Sequence, residues 1–548
     1  MNRSAEYFLC ALVVLPATVL AQKDLTVSVS NLLRYGTGTE TISSLTQTKD
    51  YLENLTDTRL SFYDFTVGFR LLYDAPPEYG VEFQGLSKRY VEFTRDDLSL
   101  RAGDSYSLFS KGLVLNLFEN RALAYDTGIE GLKAEYKTRL LKIAATGGDI
   151  TYQDILNLAR TEHYRLRAGT VELQPYRFLM LGASFVSGES DFPPPTYPQE
   201  AAQFDIPEYF GRAELGDLTL MLEYAEKRTT VYGKDGTHKG TAFYGTMSYM
   251  GDGYGLSLEY KDYRYGIADP YQRTDPNRAT RALAFQNPPI AHKEYSQTLL
   301  SRYPHIVDFN DEVGYHIDVD YVLQEQLTGS FSAAVASRHY SFAPTGDTSA
   351  IFLPIYGSTA RTGSFLPSLS SAYSPFWEVY AEWQYYLEKG ENDYVLLALN
   401  RRSDETADEL AATLVGEAKV DATRSTAVVA GAEYALGNGW GLKGEVEQQW
   451  VHDDKNSAEP DFENHLIAIG VSLSPTYTLT VRFEWSSDEG TVDGRKNWLA
   501  VDAGYKLGDH HSITLTVGAD RGGQVCANGV CRVVNPFRGV RASVLSYF

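Results

Sequence analysis

The ten histidines of this sequence are the side chains best suited to acid–base chemistry near neutral pH. His510 and His511 follow a predicted turn, His316 lies within a predicted strand, and His452 and His465 flank a predicted loop. None of them belongs to a G-x-S-x-G or H-E-x-x-H motif, which would supply a serine nucleophile or a zinc site. We interpret them as solvated polar residues and expect no enzymatic activity; a hydrolase is the weakest alternative.

Two acidic segments, 453–456 and 488–489, offer carboxylates that could bind divalent cations. Their spacing does not match the calcium-binding loop, in which alternate oxygen ligands are followed by glycine. We therefore expect solvated loops here, with no bound metal and no cofactor.

Cys526 and Cys531 flank the four residues Ala-Asn-Gly-Val. In an exported protein, this spacing within a Gly- and Asn-containing loop predicts a local disulfide. A metal site would need further ligands nearby in the sequence, and the segment has none. Two free thiols are the alternative.

The first 21 residues have the pattern of a secretory signal peptide. Arg3 lies in a short polar start, residues 8–15 are apolar, and residues 19–21 offer a small-residue cleavage site. Glu6 weakens the charged region, and Cys10 falls in the part expected to be removed. No later stretch contains about 18 consecutive apolar residues, so we expect no helical membrane span.

Residues 22–548 are rich in segments where apolar and polar residues alternate, which is the pattern of half-buried β-strands. On 477–485 the odd-numbered residues are Tyr, Leu, Val, Phe and Trp, whereas the even-numbered ones are Thr, Thr, Arg and Glu. Aromatic residues recur near the ends of such segments, where a strand crossing a bilayer would place them. This alternation predicts an all-β protein.

The connections between these segments alternate in length. Short turns near 508–509, 474–475, 437–439 and 251–253 alternate with long loops such as 519–536, 343–374 and 264–311. Long loops at one end and tight turns at the other are typical of a transmembrane β-barrel. We predict one antiparallel barrel of about 24 strands over 22–548, with long extracellular loops and short periplasmic turns. The first pair, near 25–35 and 59–63, is the least regular, so 22 strands is the alternative.

The last twelve residues, 537–548, place Val540, Ala542, Val544 and Phe548 on one face of a strand. A strand of this kind that ends on an aromatic residue resembles the closing strand of bacterial outer-membrane barrels. The resemblance implies that Phe548 is part of the signal read by the barrel-assembly machinery. A soluble edge strand is the alternative.

The segment 105–128 is too apolar for an ordinary outer loop and is expected to need burial. We predict that it folds into the lumen, where its charged residues would be candidates for a pore constriction; an extra hairpin or a cap on the barrel mouth is the alternative. The predicted inward positions of several strands are also acidic, which would favour cations in a wet lumen. The constriction candidates are Lys111, Glu119, Arg121 and Asp126, and the lumen-facing acidic candidates are Asp318, Asp320, Glu378, Glu382, Glu445, Glu447 and Glu484.

The same segment carries a family resemblance. Residues 101–106, 111–115, 119–123 and 126–131 resemble the G-D-x-Y … G-x-G-L … Y-E-x-x-x-L-x-x-D … G block of an outer-membrane barrel family found in Bacteroidetes and other Gram-negative lineages. The match covers roughly 30 residues and departs from the block at Ser110 and Phe118. The resemblance implies an outer-membrane barrel and carries no activity with it.

These patterns together predict a protein of the cell outer membrane, in contact with lipid and lipopolysaccharide. The leading hypothesis is a porin-like passive channel for small solutes with a weak preference for cations. The alternative is a non-conducting barrel that binds a protein partner through its long loops at 187–206, 264–311 and 343–374. The net charge of −22 argues against nucleic acid as a partner.

Overall fold

A computed structural model describes residues 25–154, 161–192, 200–231, 236–265, 283–348, 354–387, 393–408, 419–527 and 529–548. In these residues, 24 strands form a single antiparallel sheet that closes on itself as a barrel. The barrel strands are β1 (Leu25–Ile42), β2 (Leu45–Phe62), β3 (Phe65–Asp74), β4 (Phe83–Arg95), β5 (Leu98–Ser105), β8 (Ile129–Lys137), β9 (Leu141–Gln153), β10 (Thr161–Tyr176), β11 (Leu179–Phe192), β12 (Glu200–Leu215), β13 (Leu218–Val231), β14 (His238–Gly251), β15 (Tyr254–Arg264), β16 (Glu312–Gln324), β17 (Leu327–Ser337), β20 (Phe376–Tyr386), β21 (Tyr394–Asp408), β22 (Lys419–Gly437), β23 (Trp440–Asp453), β24 (Asp461–Leu473), β25 (Tyr477–Ser486), β26 (Asn497–Leu507), β27 (His511–Asp520) and β30 (Phe537–Tyr547).

Three small hairpins lie within the loops of the barrel. They are formed by β6 (Glu119–Asn120) with β7 (Tyr125–Asp126), β18 (Tyr340–Thr348) with β19 (Pro354–Ala360), and β28 (Gly523–Ala527) with β29 (Val530–Val534). The helices in the described residues are two single 3₁₀ turns, Arg121–Leu123 and Ser371–Tyr373. No helix in that part of the chain is long enough and apolar enough to cross a membrane.

The barrel closes where the first strand meets the last. β1 pairs with β30 in antiparallel register, so that Leu33 lies opposite Val544 and Tyr35 opposite Ala542. The backbone N–H of Phe548 donates to the carbonyl of Val29 at 2.8 Å. Because every barrel strand then has two neighbours, the sheet exposes no unpaired edge to another chain. The predicted count of about 24 strands is confirmed.

Alternation along each strand separates the outer wall from the lumen. On β25, Leu479, Val481 and Phe483 are exposed on the outer wall, whereas Glu484 is buried on the inner side. Outward aromatic residues form a row near the turns; its exposed members include Phe65, Tyr136, Tyr176, Tyr254, Tyr385, Tyr434, Trp440 and Tyr477. A second row lies closer to the loops; it includes Tyr224, Tyr260, Tyr315, Trp377, Trp450 and Trp485.

The connections differ in length between the two ends of the barrel, as predicted. At the turn end they are mostly two or three residues long, as at 96–97, 216–217 and 508–510, whereas the loop end carries 106–128, 265–311 and 338–375. The predicted turn at 389–392 lies outside the described residues.

The first hairpin corrects the prediction for residues 36–58, which are strand rather than connection. β1 and β2 are 18 residues each, and a two-residue turn joins them at the loop end. Ser43 and Ser44 both have positive φ, at 47° and 69°. This backbone is typical of the tight turns whose twist matches that of paired strands, so the hairpin continues where a long loop was expected.

Candidate functional site in the barrel lumen

The first loop that enters the lumen is 106–128. Its residues Leu113, Val114 and Leu115 have no exposed surface. They belong to one apolar cluster with inward-facing wall residues of the neighbouring strands, including Ala144, Ile150, Tyr152, Tyr164, Leu166, Val186, Phe204, Ile206, Ala225, Ala242, Tyr244 and Tyr263. The apolar segment that would be unfavourable in water is therefore buried against the inner wall.

The charged residues of this loop are held by partners on the wall. Glu119 accepts two hydrogen bonds from Arg70 of β3, both at 2.7 Å. Asp126 lies 2.6 Å from the Lys88 ammonium of β4. Arg121 lies 3.6 Å from both Glu53 of β2 and Asp74 of β3. These three constriction candidates thus fasten one side of the loop to β2, β3 and β4.

Lys111, the fourth constriction candidate, lies at the opposite side of the loop. Its backbone N–H donates to the Glu223 carboxylate of β13 at 2.9 Å, and the Ser110 hydroxyl donates to the same oxygen. The Lys111 side chain itself is exposed. The loop therefore reaches from β2–β4 to β13.

The second loop in the lumen is 283–311, the described part of the long 265–311 connection. Phe285 is fully buried, with its ring centroid 5.5 Å from that of Tyr164 on β10 and 5.2 Å from that of Phe204 on β12. Further along, the backbone N–H groups of Thr298 and Leu299 donate to the Glu447 carboxylate of β23 at 3.0 and 2.7 Å. This loop was predicted to lie outside the barrel; the described part of it lies inside, because its apolar residues pack on the inner wall.

The second loop continues along the inner wall toward β25. After Leu299 it continues to Arg302, whose guanidinium donates to both carboxylate oxygens of Glu484 on β25 at 2.7 Å. In the 24-strand ring, β10 and β25 lie almost diametrically opposite each other. Between these contacts the loop also touches β15, because Lys261 and Tyr263 donate to two of its carbonyls, those of Ile290 and Pro289. It then touches β21, where Arg402 donates to the Leu300 carbonyl at 2.7 Å, so the loop follows the inner wall over about half of the ring.

The two loops bind each other where they meet. The Tyr125 hydroxyl donates to the Ala284 carbonyl, and the Asn287 amide donates to Tyr125 at 3.2 Å. The Asn116 amide also donates to the Asn287 carbonyl at 3.1 Å. Residues more than 150 positions apart in sequence thus form one buried polar contact.

The third element is the β28–β29 hairpin. Cys526 and Cys531, the predicted pair, are joined as a disulfide near its tip. Val530 is fully buried in the apolar cluster of the first two loops, and the Arg532 guanidinium lies over the Tyr79 ring. Arg302 of the second loop donates to the Gly522 carbonyl just before β28 at 2.8 Å. We call these three elements, residues 106–128, 283–311 and 523–534, the plug.

A buried charge cluster holds the plug to the wall between β15 and β21. The Lys261 ammonium lies 2.6 Å from the Glu312 carboxylate, with both side chains almost fully buried. His305 of the plug lies 2.9 Å from Asp404 and 3.4 Å from Glu312. Although burial disfavours its charged form, these two carboxylates raise the pKa of His305 to about 9. His305 is therefore an imidazolium at neutral pH.

The pKa of the neighbouring histidine, His292, is shifted in the opposite direction. His292 is also buried in the plug, with its ring centroid 5.7 Å from that of His305. Burial, together with the positive charges of Lys261 and His305, lowers the pKa of His292. One histidine of the pair is thus charged and the other neutral.

The lumen-facing acidic candidates form two groups, according to their position along the barrel axis. Glu378, Glu447 and Glu484 are buried near the loop end; Glu447 and Glu484 bind the plug, and Glu378 accepts from Asn400 at 2.8 Å. Asp318, Asp320, Glu382 and Glu445 lie closer to the turns and remain partly or fully accessible. Asp320 and Glu382 line a cavity of about 570 Å³ beneath the plug, together with Lys293.

Several residues of the site were not found from the sequence. They are the buried cations Lys261, Arg302, Arg402 and Arg521 and the plug residues Asn287 and His305. A signal was present in residues 283–285 and 299–300, which are as apolar as the stretch 113–115. Within the described ranges, no group of three His, Cys, Asp or Glu side chains is arranged to hold a metal ion.

Solved barrel structures resemble this chain at low sequence identity. The siderophore receptor PirA from Pseudomonas aeruginosa has a TM-score of 0.45 and 10% identity, covering 95% of this chain and 80% of the receptor. The P pilus usher (PapC) translocation pore has a TM-score of 0.40 and 10% identity, covering 95% and 99% of the two chains. OpdO from Pseudomonas aeruginosa has a TM-score of 0.37 and 11% identity, covering 73% and 95%.

No curated protein matches the sequence at a significant level. A family model does match, and its match extends over residues 1–548. The chain therefore belongs to the family of unknown function DUF6029.

Proposed function

We propose that the protein resides in the outer membrane, with its barrel wall in contact with lipid. The wall between the two aromatic rows is apolar, as on β25, where Leu479, Val481 and Phe483 lie between Tyr477 and Trp485. Eight residues of a strand tilted by roughly 40° cover about 20 Å along the barrel axis. This height is similar to that of the apolar band of outer-membrane barrels, about 25 Å.

We propose further that the barrel is closed to solutes in its resting state. The observation that supports this proposal is that loop elements bound to the inner wall face most of the ring. The second loop is bound from β10 to β25, the first loop is bound to β3, β4 and β13, and Val530 of the β28–β29 hairpin packs in the same apolar cluster. This arrangement supports the non-conducting barrel over the open porin-like channel, and a partner or a large conformational change would be needed to open it.

Single-channel recording in planar bilayers tests this proposal. The wild-type protein should insert and remain silent, whereas a variant with residues 284–304 replaced by a short Gly-Ser linker should give discrete current steps. A variant with residues 489–494 replaced in the same way removes part of an exposed loop outside the plug and should stay silent. Steady openings of the wild-type protein would overturn the closed state.

The porin-like channel remains the second candidate because of the turn-side half of the lumen. Asp320 is exposed there, and Glu382 and Lys293 line the same cavity. A solvated, predominantly acidic lining raises the local concentration of cations. Any current through an opened barrel should therefore favour K⁺ over Cl⁻, and an anion-selective current would contradict this proposal.

We infer no catalytic role for the histidines. His305 and His339 are occupied by ion pairs with buried carboxylates, and His316 lies 2.9 Å from the Ser332 hydroxyl without an adjacent nucleophile motif. Turnover of a lipid or peptide ester by the purified protein would contradict this inference.

We also propose that Phe548 is recognised during assembly. Its side chain is 69% exposed at the turn end, although its backbone is paired with Val29. An exposed aromatic ring at the end of a paired strand is available to an assembly factor. The candidate surface for a protein partner is the described part of the loop at 343–374; of the expected loop at 187–206, residues 187–192 and 200–206 belong to β11 and β12, and the rest lies outside the described residues.

A further inference from the structure

Residues 361–373, which we call the rim segment, connect β19 to β20. Phe365, Leu366 and Leu369 of this segment are 60%, 48% and 71% exposed. Three large apolar side chains so close together on a protein surface indicate an interaction site, since their exposure to water is unfavourable.

The rim segment lies on the outside of the barrel wall. The Tyr260 hydroxyl of β15 donates to the Phe365 carbonyl at 3.0 Å, and the Ser368 N–H donates to Ser337 of β17 at 2.8 Å. Tyr260 faces outward and packs on Tyr315 with 4.7 Å between the ring centroids. The segment is therefore level with the aromatic row nearer the loops.

The polar backbone of the rim segment is turned toward the protein. The Arg361 guanidinium donates to the carbonyls of Arg338, Gly363 and Leu366. The Leu366 N–H donates to the Gly363 carbonyl at 3.2 Å. An irregular segment can enter an apolar medium only when its backbone groups are satisfied in this way.

The charge of the segment is consistent with the same environment. Residues 361–373 contain no Asp, Glu or Lys, and their single charged side chain is Arg361. The remaining polar side chains are mostly serines, which tolerate the interface between lipid and water. The exposed apolar residues continue the outer wall of the barrel directly above its aromatic row.

We propose that the rim segment inserts Phe365, Leu366 and Leu369 into the outer leaflet, at the boundary between acyl chains and headgroups. The partner is therefore lipid, and the segment fixes the height of the barrel beside β15–β17. This proposal rests on the proposed outer-membrane location. The proposal is supported by the apolar surface of the rim segment, which is continuous with the lipid-facing wall of the barrel.

Site-directed spin labelling in phosphatidylcholine vesicles tests the proposal. A nitroxide attached at Leu369→Cys should collide readily with oxygen and poorly with a water-soluble nickel chelate. Leu399→Cys, on the outer wall of β21, is the reference for lipid, and Val492→Cys, in an exposed loop, is the reference for water. Cys526 and Cys531 are paired as a disulfide, and Cys10→Ser in all three variants removes the third thiol of the sequence, so the label would react with the introduced cysteine.

The three sites separate the two proposals. If Leu369→Cys resembles Leu399→Cys, the rim segment is in lipid as proposed. If Leu369→Cys resembles Val492→Cys while Leu399→Cys is shielded from nickel, the rim proposal is wrong and the membrane location stands. If Leu399→Cys is itself open to nickel, the membrane location fails. A Leu369→Cys label shielded from both reagents would indicate a protein contact and would also overturn the proposal.

Discussion

At the scale of single residues, two of the acidic side chains of the lumen hold the plug. Glu484 was a candidate for attracting cations through a pore, yet it is bound by Arg302 at 2.7 Å and by Arg521 at 3.3 Å. Glu447 likewise accepts hydrogen bonds from two backbone N–H groups of the second loop. A carboxylate that is buried against a cation is unavailable to a passing ion.

Glu484→Gln should therefore loosen the plug. The substitution leaves two poorly exposed guanidiniums without their shared carboxylate, at a cost of roughly 1–3 kcal/mol. Amide hydrogen exchange across 298–304 should accelerate, and brief openings should appear in bilayer recordings. Glu489→Gln is the matched control, since Glu489 pairs with Lys496 on the surface, where ion pairs contribute little. Equal exchange in both variants would show that Glu484 does not hold the loop.

The raised pKa of His305 predicts that the plug becomes less stable at alkaline pH. Because its pKa is raised to about 9 from a usual value near 6.5, its charge stabilises the folded plug below about pH 6.5, and this contribution is lost as the pH rises through 9. Asp404 and Glu312 face the imidazolium, with Lys261 and His292 beside them. The protection of the amides of 298–304, measured as their exchange rate relative to that of the unstructured chain at the same pH, should fall between pH 7 and pH 10.

His305→Gln should remove most of that fall in protection, because the amide side chain carries no charge at any pH in this range. A wild-type plug with the same pH response as His305→Gln would contradict the assignment.

At the scale of elements, the strands follow local patterns whereas the loops follow their contacts. The alternation on 477–485 predicted β25, and the structure has it as Tyr477–Ser486. The inward folding of the segment 106–128 was predicted from its apolar residues alone. The loop 264–311 was assigned to the outside because long connections alternate with short turns along the chain; its described part, 283–311, lies in the lumen.

The disulfide predicts a local effect on the third plug element. Closing a short loop between Cys526 and Cys531 stabilises the hairpin by about 2 kcal/mol in the chain-entropy account. In Cys526→Ser/Cys531→Ser, amide exchange across 523–534 should accelerate on the order of 30-fold. Exchange in β25 is the internal control and should stay the same. Unchanged exchange in the hairpin would mean that packing of Val530 alone holds it.

At the scale of the whole molecule, the last strand decides whether the barrel closes. β30 pairs with β27 on one side and with β1 on the other. Phe548→Ser should keep this pairing in the folded state but lower the yield of folded barrel in the outer membrane several-fold. The assay is heat-modifiable migration on gels.

Leu507→Ser, also exposed near the turns, is the matched control for loss of an apolar residue. Refolding of the purified Phe548→Ser protein in detergent should be normal, since the proposed role lies in recognition. Normal yield in cells would refute that role.

The sequence by itself determined the barrel. Alternation with a period of two is a property of neighbouring residues, so most strands were visible in their own segments, although residues 36–58 of the first hairpin were taken for a connection. The alternation of long and short connections then ordered the strands around the ring. The acidic character of the lumen was also predictable from the sequence, since the alternation shows which residues of each strand face inward.

Only the tertiary structure decided that three loop elements lie in the lumen, bound to the inner wall and to each other. Tyr125 meets Ala284, Glu447 meets Leu299 and Arg302 meets Glu484, and each pair is separated by more than 140 positions in the chain. No local sequence pattern predicts these contacts. The apolar residues of a loop show that the loop must be buried, but they do not show which surface buries it. The closed ring of 24 strands provides that surface inside the barrel, and the loops bury their apolar residues there.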